Sequence, residues 1–275
     1  MIAGLGPHAH AGTEPDTPSH DPMRVELLPS SLPPCDLQFL VSFLINDAVA
    51  IDAGALGLVA DLDRQRRVRH VFITHEHLDH IATLPIFLEN VYEPGPDSVE
   101  VLAAPDVIDF LHGDVFNGRV WPDFIDLSRA DDSFVRTTGL EPLRPVQRGG
   151  LTVTPVPVSH GVETLGLVVD DGTSAVAFPS DTGPTDLFWK HLASMERLRA
   201  VFLEVSFPRK LADLASLTGH LSPDSFADEM RKLSRDVRWI VVHRKARYAD
   251  VIAAELERLG LRNVELVRPG VAYEI

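Results

Sequence analysis

Short apolar runs recur along the chain from residue 24 onward, separated by charged and turn-forming segments. Apolar runs of this length, bounded by such residues, are typical of buried strands. The pattern predicts strands at residues 25–28, 39–45, 49–52, 68–73, 151–158 and 200–203, and further strand ends after the apolar runs 175–179 and 239–242. Two prolines within 151–158 predict an edge or irregular strand, because proline cannot donate to the strand ladder.

Segments with apolar residues at helical spacing lie between these runs. A short helix is expected before residue 68, and longer helices are expected at residues 105–116, 184–195, 222–233 and 250–259. Pro184 would lie in the first turn of its helix, Ser222 and Pro223 form an N-cap pair, and Gly260 is placed to end the last helix. The chain therefore mixes strands and helices.

The first 23 residues differ from the rest of the chain. They are rich in Pro, Gly, Ala, His and Asp and have no apolar periodicity, which predicts a disordered tail over residues 1–23. We find no internal repeat and no linker that would divide the remainder. Residues 24–275 are therefore expected to form one domain, a size that a single large core can support.

The composition limits the partners and the compartment. The net charge is −15, from 25 basic and 40 acidic side chains, and so acidic a surface disfavours binding to nucleic acid. No apolar run approaches the roughly 20 residues that span a bilayer, and no secretory signal is visible. Cys35 is the single cysteine, which excludes an internal disulfide. We expect a cytoplasmic protein that binds neither a membrane nor nucleic acid.

A dense group of histidine and acidic side chains follows the predicted strand 68–73. The run Thr-His-Glu-His-Leu-Asp-His at residues 74–80 offers imidazole nitrogens and carboxylate oxygens, which Zn²⁺ and similar cations accept. If the chain leaves the strand extended, His75 and His77 point the same way and can bind one cation. Asp79 and His80 would then face a second cation. A solvated His-rich loop is the alternative, which these flanking residues disfavour.

Two cations need more ligands than this run supplies. His160, Asp181 and His243 each follow an apolar run, where a buried strand would emerge into a loop. Each alone could be a polar residue at a strand end, but their occurrence with residues 74–80 favours a dinuclear site. A simple allocation places His75, His77 and His160 on one metal and Asp79, His80 and His243 on the other, with Asp181 bridging them.

These residues fall in the order and context of the metallo-β-lactamase superfamily. The chain from about Leu40 onward resembles its class II 3′,5′-cyclic-nucleotide phosphodiesterases. The resemblance rests on residues 74–80, 116–124, 158–161, 180–184, 203–207, 218–223 and 242–245. Two positions depart from the family pattern, since Thr83 stands where Gly is frequent and Arg244 where an aliphatic residue is more usual.

The resemblance implies an α+β fold, a four-layer αββα sandwich with the metals between the sheet edges. It implies that residues 24–275 form a metal-dependent hydrolase that opens cyclic AMP, cyclic GMP or both to nucleoside 5′-monophosphates. Two divalent metal ions are expected, with zinc favoured and manganese or iron as alternatives. Two such cations about 3.5–4 Å apart can hold a hydroxide near neutral pH. The expected partner is a small-molecule cyclic nucleotide, and a homodimer is left open.

His220, Glu204 and Asp79 are the expected catalytic residues. His220 resembles the proton donor of the family's phosphodiesterases, with Glu204 orienting its ring, while Asp79 is a metal ligand. Alternatively, His220 caps a turn at a helix entry and Glu204 is a surface carboxylate at a strand end. Asp52 would hydrogen-bond a ligand histidine, or would simply form a turn before Gly54.

The substrate contacts are less constrained by the sequence. Phe116 and Trp121, together with Phe124, could offer a stacking face for a base, but aromatic residues at this spacing are more often part of a core. Lys245 or Arg244 could contact the phosphate, with a solvated loop charge as the alternative.

Other activities remain to be distinguished. A tRNA 3′-processing endonuclease would share the metal ligands and the Gly-His motif, but it needs a basic RNA-holding arm that this sequence lacks. A thioesterase or lactonase would leave the Gly-His-Leu-Ser-Pro segment at residues 219–223 unexplained. A non-catalytic metal-stabilised module or a cyclic-nucleotide binder is the alternative from another class, although such a protein would be expected to lose ligands.

Overall fold

The computed structural model describes residues 21–31, 33–93, 95, 97–128 and 132–275. Residues 1–20 of the predicted tail lie outside the described residues, and Met23 is buried in the core. The strands are β1 (Arg24–Leu27), β2 (Phe43–Ile45), β3 (Val49–Ile51), β4 (His70–Phe72), β5 (Val99–Ala103), β6 (Val135–Gly139), β7 (Val146–Arg148), β8 (Leu151–Pro157), β9 (Leu165–Asp170), β10 (Ala175–Ser180), β11 (Leu198–Glu204), β12 (Arg238–Val242), β13 (Val264–Leu266) and β14 (Ala272–Glu274).

These strands form two seven-stranded mixed sheets. The first sheet has the order β14-β1-β2-β3-β4-β5-β6, and the second has the order β13-β12-β11-β10-β9-β8-β7. The helices are α1 (Leu62–Arg67), α2 (Leu78–Ile81), α3 (Leu84–Val91), α4 (Pro105–Phe110), α5 (Phe124–Leu127), α6 (Leu187–Leu192), α7 (Ala212–Leu217), α8 (Pro223–Arg231) and α9 (Ala249–Leu259).

Alternation along the strands of the second sheet separates two apolar layers. Phe178, Phe202 and Ile240 belong to one buried cluster with the strands of the first sheet and with helices α3 and α4. Neighbouring residues of the same strands, such as Val201 and Val241, belong to another cluster with α6, α8 and α9. The chain thus forms the predicted αββα sandwich, with helices, two sheets and helices in succession.

Aromatic rings join the two sheets. The ring of Phe43 in the first sheet lies 5.0 Å from Phe178 and 5.4 Å from Phe202 in the second sheet, measured between centroids. Phe178 and Phe202 stack on each other at 5.0 Å. Such contacts fix how the two sheets pack, and so where their strand ends meet.

The predicted strand 39–45 is wrong at its start, because only Phe43–Ile45 joins the sheet. The preceding residues contact the loops beyond the strand ends instead. The Val41 N–H donates to the Asp79 carbonyl at 2.8 Å, and Gln38 forms an isolated parallel bridge with Lys245. These contacts use backbone groups that would bond to neighbouring strands if β2 began earlier.

Strand β8 is an edge strand at its prolines, as predicted. Strand β7 pairs with residues 151–153 of β8 alone, whereas β9 pairs along its length. Pro155 and Pro157 therefore lie where one side of β8 is an edge, and an edge strand tolerates a missing N–H.

Two predicted helices have different bounds. The segment 105–116 is helical as α4 and then widens into a π-helical turn at Leu111–Val115. Helix α6 begins at Leu187, not at Pro184, because Glu229 accepts a hydrogen bond from the Thr185 N–H at 3.1 Å and holds that residue in a turn. The last helix ends as predicted, with Gly260 in the left-handed conformation at φ 58°.

Among the helices in the part of the chain that the structure describes, none combines the length and the apolar character that crossing a bilayer requires.

Candidate metal centre

Loops that follow strands of both sheets bring the predicted ligands together. The loop after β4 carries residues 75–80, and those after β8, β10 and β12 carry His160, Asp181 and His243. We call the group of His75, His77, His160 and Asp181 position 1. We call the group of Asp79, His80, His243 and Asp181 position 2. Within each position the four possible ligand atoms lie within 4.8 Å of one another.

The spacing of the donor atoms in position 1 fits a small cation. Nδ1 of His77 lies 3.1 Å from Nε2 of His75 and 3.2 Å from Nε2 of His160. A tetrahedral zinc ion with bonds of about 2.0–2.1 Å to nitrogen separates its ligand atoms by about 3.3 Å. The fourth donor, Oδ2 of Asp181, lies 3.9 Å from Nε2 of His75.

Position 2 contains more carboxylate and shares Asp181 with position 1. Nε2 of His243 lies 3.0 Å from Oδ2 of Asp79, and Nδ1 of His243 lies 3.2 Å from Oδ1 of Asp181. Nε2 of His80 lies 3.5 Å from Oδ2 of Asp181. One Asp181 oxygen therefore faces histidines of both positions, as expected for a bridging ligand.

A test of the metal assignment is whether the free ring nitrogens have partners within the protein. Nε2 of His80 is buried and has no hydrogen-bond partner in the described part of the chain. Its other nitrogen, Nδ1, donates to Oδ2 of Asp52 at 2.7 Å, which leaves Nε2 facing position 2. A buried polar atom without a partner is costly, and a cation at this point would supply the missing interaction. The residues therefore fit divalent metal ions.

The other imidazoles are oriented in the same manner. Nδ1 of His160 donates to the Gly219 carbonyl at 2.9 Å, and Nδ1 of His75 lies 3.0 Å from the Thr74 hydroxyl. Nδ1 of His243 lies 2.8 Å from the Ser206 hydroxyl. Each of these contacts leaves Nε2 for a ligand.

The backbone at three strand ends is strained. Asp52, Ser180 and His243 have φ values of 60°, 61° and 52°, in the left-handed region that non-glycine residues seldom adopt. Each follows or ends a strand next to the metal positions, and strain of this kind concentrates at functional sites. Both sequence interpretations of Asp52 hold, because it forms the turn and also binds His80.

Electrostatics keep His75, Asp79 and Asp181 in their metal-binding states, whereas the pKa of His80 is raised well above its ordinary value because Asp181 and Asp52 outweigh its burial. Burial lowers the pKa of His75 well below its ordinary value, and neighbouring His80 lowers it further, so His75 is neutral. Burial opposes ionisation of Asp79, but the hydrogen bond from His243 and the charge of His80 outweigh it, and the pKa of Asp79 is lowered. Burial likewise opposes ionisation of Asp181, but its pKa is held well below the ordinary value by His243 and His80.

The predicted proton donor lies against both positions. Nδ1 of His220 donates to Oε1 of Glu204 at 2.7 Å, and the His220 ring lies 4.9 Å from the His160 ring and 5.7 Å from the His243 ring. Glu204 is 0% exposed, which excludes the alternative of a surface carboxylate. Burial lowers the pKa of His220, but the charge and hydrogen bond of Glu204 outweigh it, and the pKa is raised.

The structure does not support a stacking role for Phe116 and Trp121. Phe116 is 1% exposed, and its ring lies 5.7 Å from that of Phe124. Trp121 packs against the same core cluster, which matches the alternative interpretation of these residues. The Nζ atom of Lys245 lies 5.7 Å from the ring centroid of Phe207, which is a neighbour of His220. Arg244 is buried and contacts the Ala249 carbonyl.

The sequence analysis assigned no role to three residues that contact histidines of the site: Thr74, Ser206 and Phe207. Thr74 directly precedes the histidine run, which is a signal that could have identified it. The segment 203–207 also belongs to the resemblance, but its residue types alone do not indicate a metal site.

The profile of the family described as Beta-lactamase superfamily domain matches residues 49–243. The chain belongs to this superfamily. The matched range contains all seven side chains of positions 1 and 2, as well as His220 and Glu204.

This beta-lactamase superfamily chain is similar to three proteins named as cyclic-nucleotide phosphodiesterases. It is 29% identical over 208 residues to a probable 3′,5′-cyclic-nucleotide phosphodiesterase of Yersinia pestis, covering 70% of this chain and 57% of that protein. It is 28% identical to the 3′,5′-cyclic-nucleotide phosphodiesterase of Aliivibrio fischeri, covering 61% and 54%. The corresponding Saccharomyces cerevisiae protein is 26% identical, covering 59% and 50%. The chain spans about half the length of these relatives.

Two solved structures share the fold of this chain. Unliganded yeast PDE1 matches with a TM-score of 0.74 and 18% identity, over 93% of this chain and 100% of that one. The short form of human tRNase Z matches with a TM-score of 0.64 and 17% identity, over 92% and 99%. At these identities the likeness shows the fold alone.

Proposed function

We propose that this chain is a metal-dependent phosphodiesterase that hydrolyses 3′,5′-cyclic nucleotides to nucleoside 5′-monophosphates. The observation that carries the proposal is the His220–Glu204 pair beside two groups of metal-binding side chains. A poor alkoxide leaving group needs both charge neutralisation and a proton, and this arrangement offers both. The names of the relatives from Yersinia pestis and Aliivibrio fischeri point to the same substrate class.

In this proposal seven side chains hold two divalent metal ions, with zinc favoured and manganese or iron as alternatives. His75, His77 and His160 would hold the ion at position 1, while Asp79, His80 and His243 would hold the ion at position 2. Asp181 would contact both. When bound, the ions would supply an activated water nucleophile and neutralise negative charge on the phosphate.

His220 would donate the proton. Because Glu204 accepts from Nδ1, the proton available for transfer is that on Nε2. The raised pKa of His220 favours the protonated form that a general acid needs. Opening the ring to a 5′-monophosphate breaks the bond between phosphorus and O3′, so Nε2 would protonate O3′ as it leaves.

Lys245 is the side chain that we assign to the phosphate. It follows His243 of position 2 by two residues, and its ammonium group lies over Phe207, whose ring is 5.7 Å from that of His220. A positive charge at this place would attract a small anion despite the net charge of −15. The proposed partner is therefore a small-molecule cyclic nucleotide in the cytoplasm, without nucleic acid or membrane, and a homodimer would be compatible with it.

The test is hydrolysis by purified protein loaded with zinc or manganese. Cyclic AMP and cyclic GMP are each incubated with the protein, and the products are separated by chromatography. The proposal expects the 5′-monophosphate of at least one nucleotide, and two metal ions per chain. Absence of hydrolysis at full metal loading, or release of a 3′-monophosphate, would contradict it.

The shared fold of human tRNase Z makes tRNA 3′ processing the second candidate. The net charge of −15 opposes binding of RNA, because a polynucleotide carries a negatively charged phosphate at every nucleotide. Precursor tRNA in the same assay distinguishes the two, since cleavage of the precursor without hydrolysis of cyclic nucleotides would favour the endonuclease.

A further inference from the structure

An aromatic side chain outside the metal positions lies next to the proposed proton donor, and a second aromatic side chain lies next to the first. The Phe207 ring lies 5.7 Å from the His220 ring, and the Tyr248 ring lies 6.3 Å from the Phe207 ring. The ammonium group of Lys245 lies 5.7 Å from the centroid of Phe207. We call Phe207, Tyr248 and Lys245 the aromatic wall.

If the proposed function holds, the aromatic wall lies where the leaving group must lie. The oxygen that His220 would protonate stays attached to the ribose, so the nucleoside must lie beside His220. Glu204 occupies Nδ1 at 2.7 Å, and the rings of His160 and His243 lie 4.9 Å and 5.7 Å away, within the metal positions. Among the rings that the structure describes, Phe207 is the neighbour of His220 that lies outside these positions.

The wall has a buried part and an accessible part. Phe207 is 7% exposed, so it packs against Tyr248 and His220 and offers little surface to a ligand. Tyr248 is half-buried, so part of its ring can meet a ligand. The guanidinium group of Arg247 lies 5.5 Å from the Tyr248 ring and adds a second positive charge at the surface.

Backbone contacts fix the wall in place. The Tyr248 N–H donates to the Lys245 carbonyl at 2.7 Å, and helix α9 begins at the next residue. The Phe207 N–H donates to the Leu221 carbonyl at 3.3 Å, directly after His220. A rigid aromatic surface loses little conformational freedom when it binds a planar ring.

We propose that the aromatic wall is the subsite for the nucleoside part of the substrate. In this subsite the base stacks on Tyr248, whose ring packs against Phe207. Phe207 also packs against His220, and Lys245 lies between the base and the phosphate. Stacking of a base on an aromatic ring tolerates different bases, because every base has a π face. The subsite therefore takes purine and pyrimidine nucleosides, with the larger purines favoured.

The test compares Tyr248→Ala with Tyr248→Phe in the metal-loaded protein. Two substrates are used, cyclic AMP and the 3′,5′-cyclic phosphate of 1-deoxyribose, which lacks a base. In Y248A the ratio of kcat/KM for cyclic AMP to that for the base-free compound is expected to fall about tenfold, mainly through KM, because stacking is lost. In Y248F the ratio should equal that of the wild type, since the ring remains.

An equal fall in Y248A and Y248F, or an unchanged ratio in Y248A, would overturn the inference. Equilibrium binding of AMP, the product, separates this failure from a failure of the proposed function. If the wild type hydrolyses neither compound, the proposed function fails, while binding of AMP that is about tenfold weaker in Y248A and unchanged in Y248F still supports the subsite. If the wild type does not bind AMP, or if Y248A binds it as well as the wild type does, the subsite is rejected.

Discussion

The Thr74 hydroxyl lies 3.0 Å from each carboxylate oxygen of Asp52. A carboxylate accepts hydrogen bonds, so Thr74 must donate its single hydroxyl proton to Asp52. The Thr74 oxygen therefore accepts from Nδ1 of His75, 3.0 Å away, and from the Ser180 hydroxyl at 2.9 Å. Asp52 also binds His80 directly at 2.7 Å. One buried carboxylate thus orients a ligand of each metal position.

Replacing Thr74 by valine should weaken the binding of one of two metal ions. Valine has a similar shape but no hydroxyl, so His75 loses the contact that keeps its Nε2 unprotonated. The affinity of position 1 is expected to fall about 10–100-fold, the usual effect of losing such a partner. Competition of the metal-loaded protein with a chelator measures both affinities.

Thr74→Ser is the matched control for this change, because serine retains the hydroxyl. It should bind two metal ions about as tightly as the wild type does. A loss of affinity in the serine variant as large as that in the valine variant would contradict the assignment of the effect to the hydroxyl.

Glu204→Gln should shift the dependence of activity on pH. Glu204 raises the pKa of His220 against the effect of burial, and the donor must be protonated to act. Removing the charge lowers that pKa, so the alkaline limb of the kcat profile should move to lower pH while the metal content stays the same. A profile that does not move would show that another group supplies the proton.

His220→Ala removes the donor altogether. A loss in kcat of about 10²–10⁴-fold is expected, the range that general acid catalysis typically contributes. Metal analysis of the same preparation serves as the control, because none of the position 1 or position 2 side chains changes. Rates equal to those of the wild type would remove His220 from the mechanism.

Removal of metal should destabilise the folded chain. The metal positions bring seven ligand side chains together, and binding to the folded state alone stabilises it by about 2.7 kcal/mol at 100 times the dissociation constant. Thermal unfolding with and without a chelator measures the change. The melting temperature should depend on metal concentration in the wild type and less so in Asp181→Asn, because Asp181 belongs to both positions.

Another buried carboxylate, that of Glu100, lies outside the metal positions and should make stability depend on pH. Burial raises the pKa of Glu100, but hydrogen bonds from Arg148 and Thr138 outweigh it and lower the pKa to about 2. The folded state therefore binds this proton less readily than the unfolded state does. Its stabilisation is fully present above the ordinary pKa of 4.5 and is lost as the pH falls toward 2.

Urea denaturation of the wild type and of Glu100→Gln checks this prediction. Between pH 4.5 and 2 the wild type should lose about 2 kcal/mol more than the variant, a value reduced for the partial exposure of Arg148. Parallel losses in the two proteins would assign the acid sensitivity to other groups.

The sequence predicted the strand-to-loop transitions of the site well because they depend on local patterns. An apolar run followed by a polar residue indicates a buried strand that reaches the surface, and this holds at Asp52, Asp181 and His243. The start of the strand before Phe43 and the start of helix α6 could not be predicted. Distant partners, the Asp79 carbonyl and the Glu229 side chain, decide those two boundaries.

Residue type and spacing in the sequence predicted the donor set and its division between two positions, and the resemblance to a known superfamily implied the layered fold. Only the tertiary structure decided which ring nitrogen faces a metal. It also decided that Phe116 is buried and that Phe207 lies beside His220. Contacts such as that of the His243 N–H with the Gln38 side chain at 2.7 Å join residues 205 positions apart. Such contacts depend on how two sheets pack, which no local pattern of apolar and polar residues encodes.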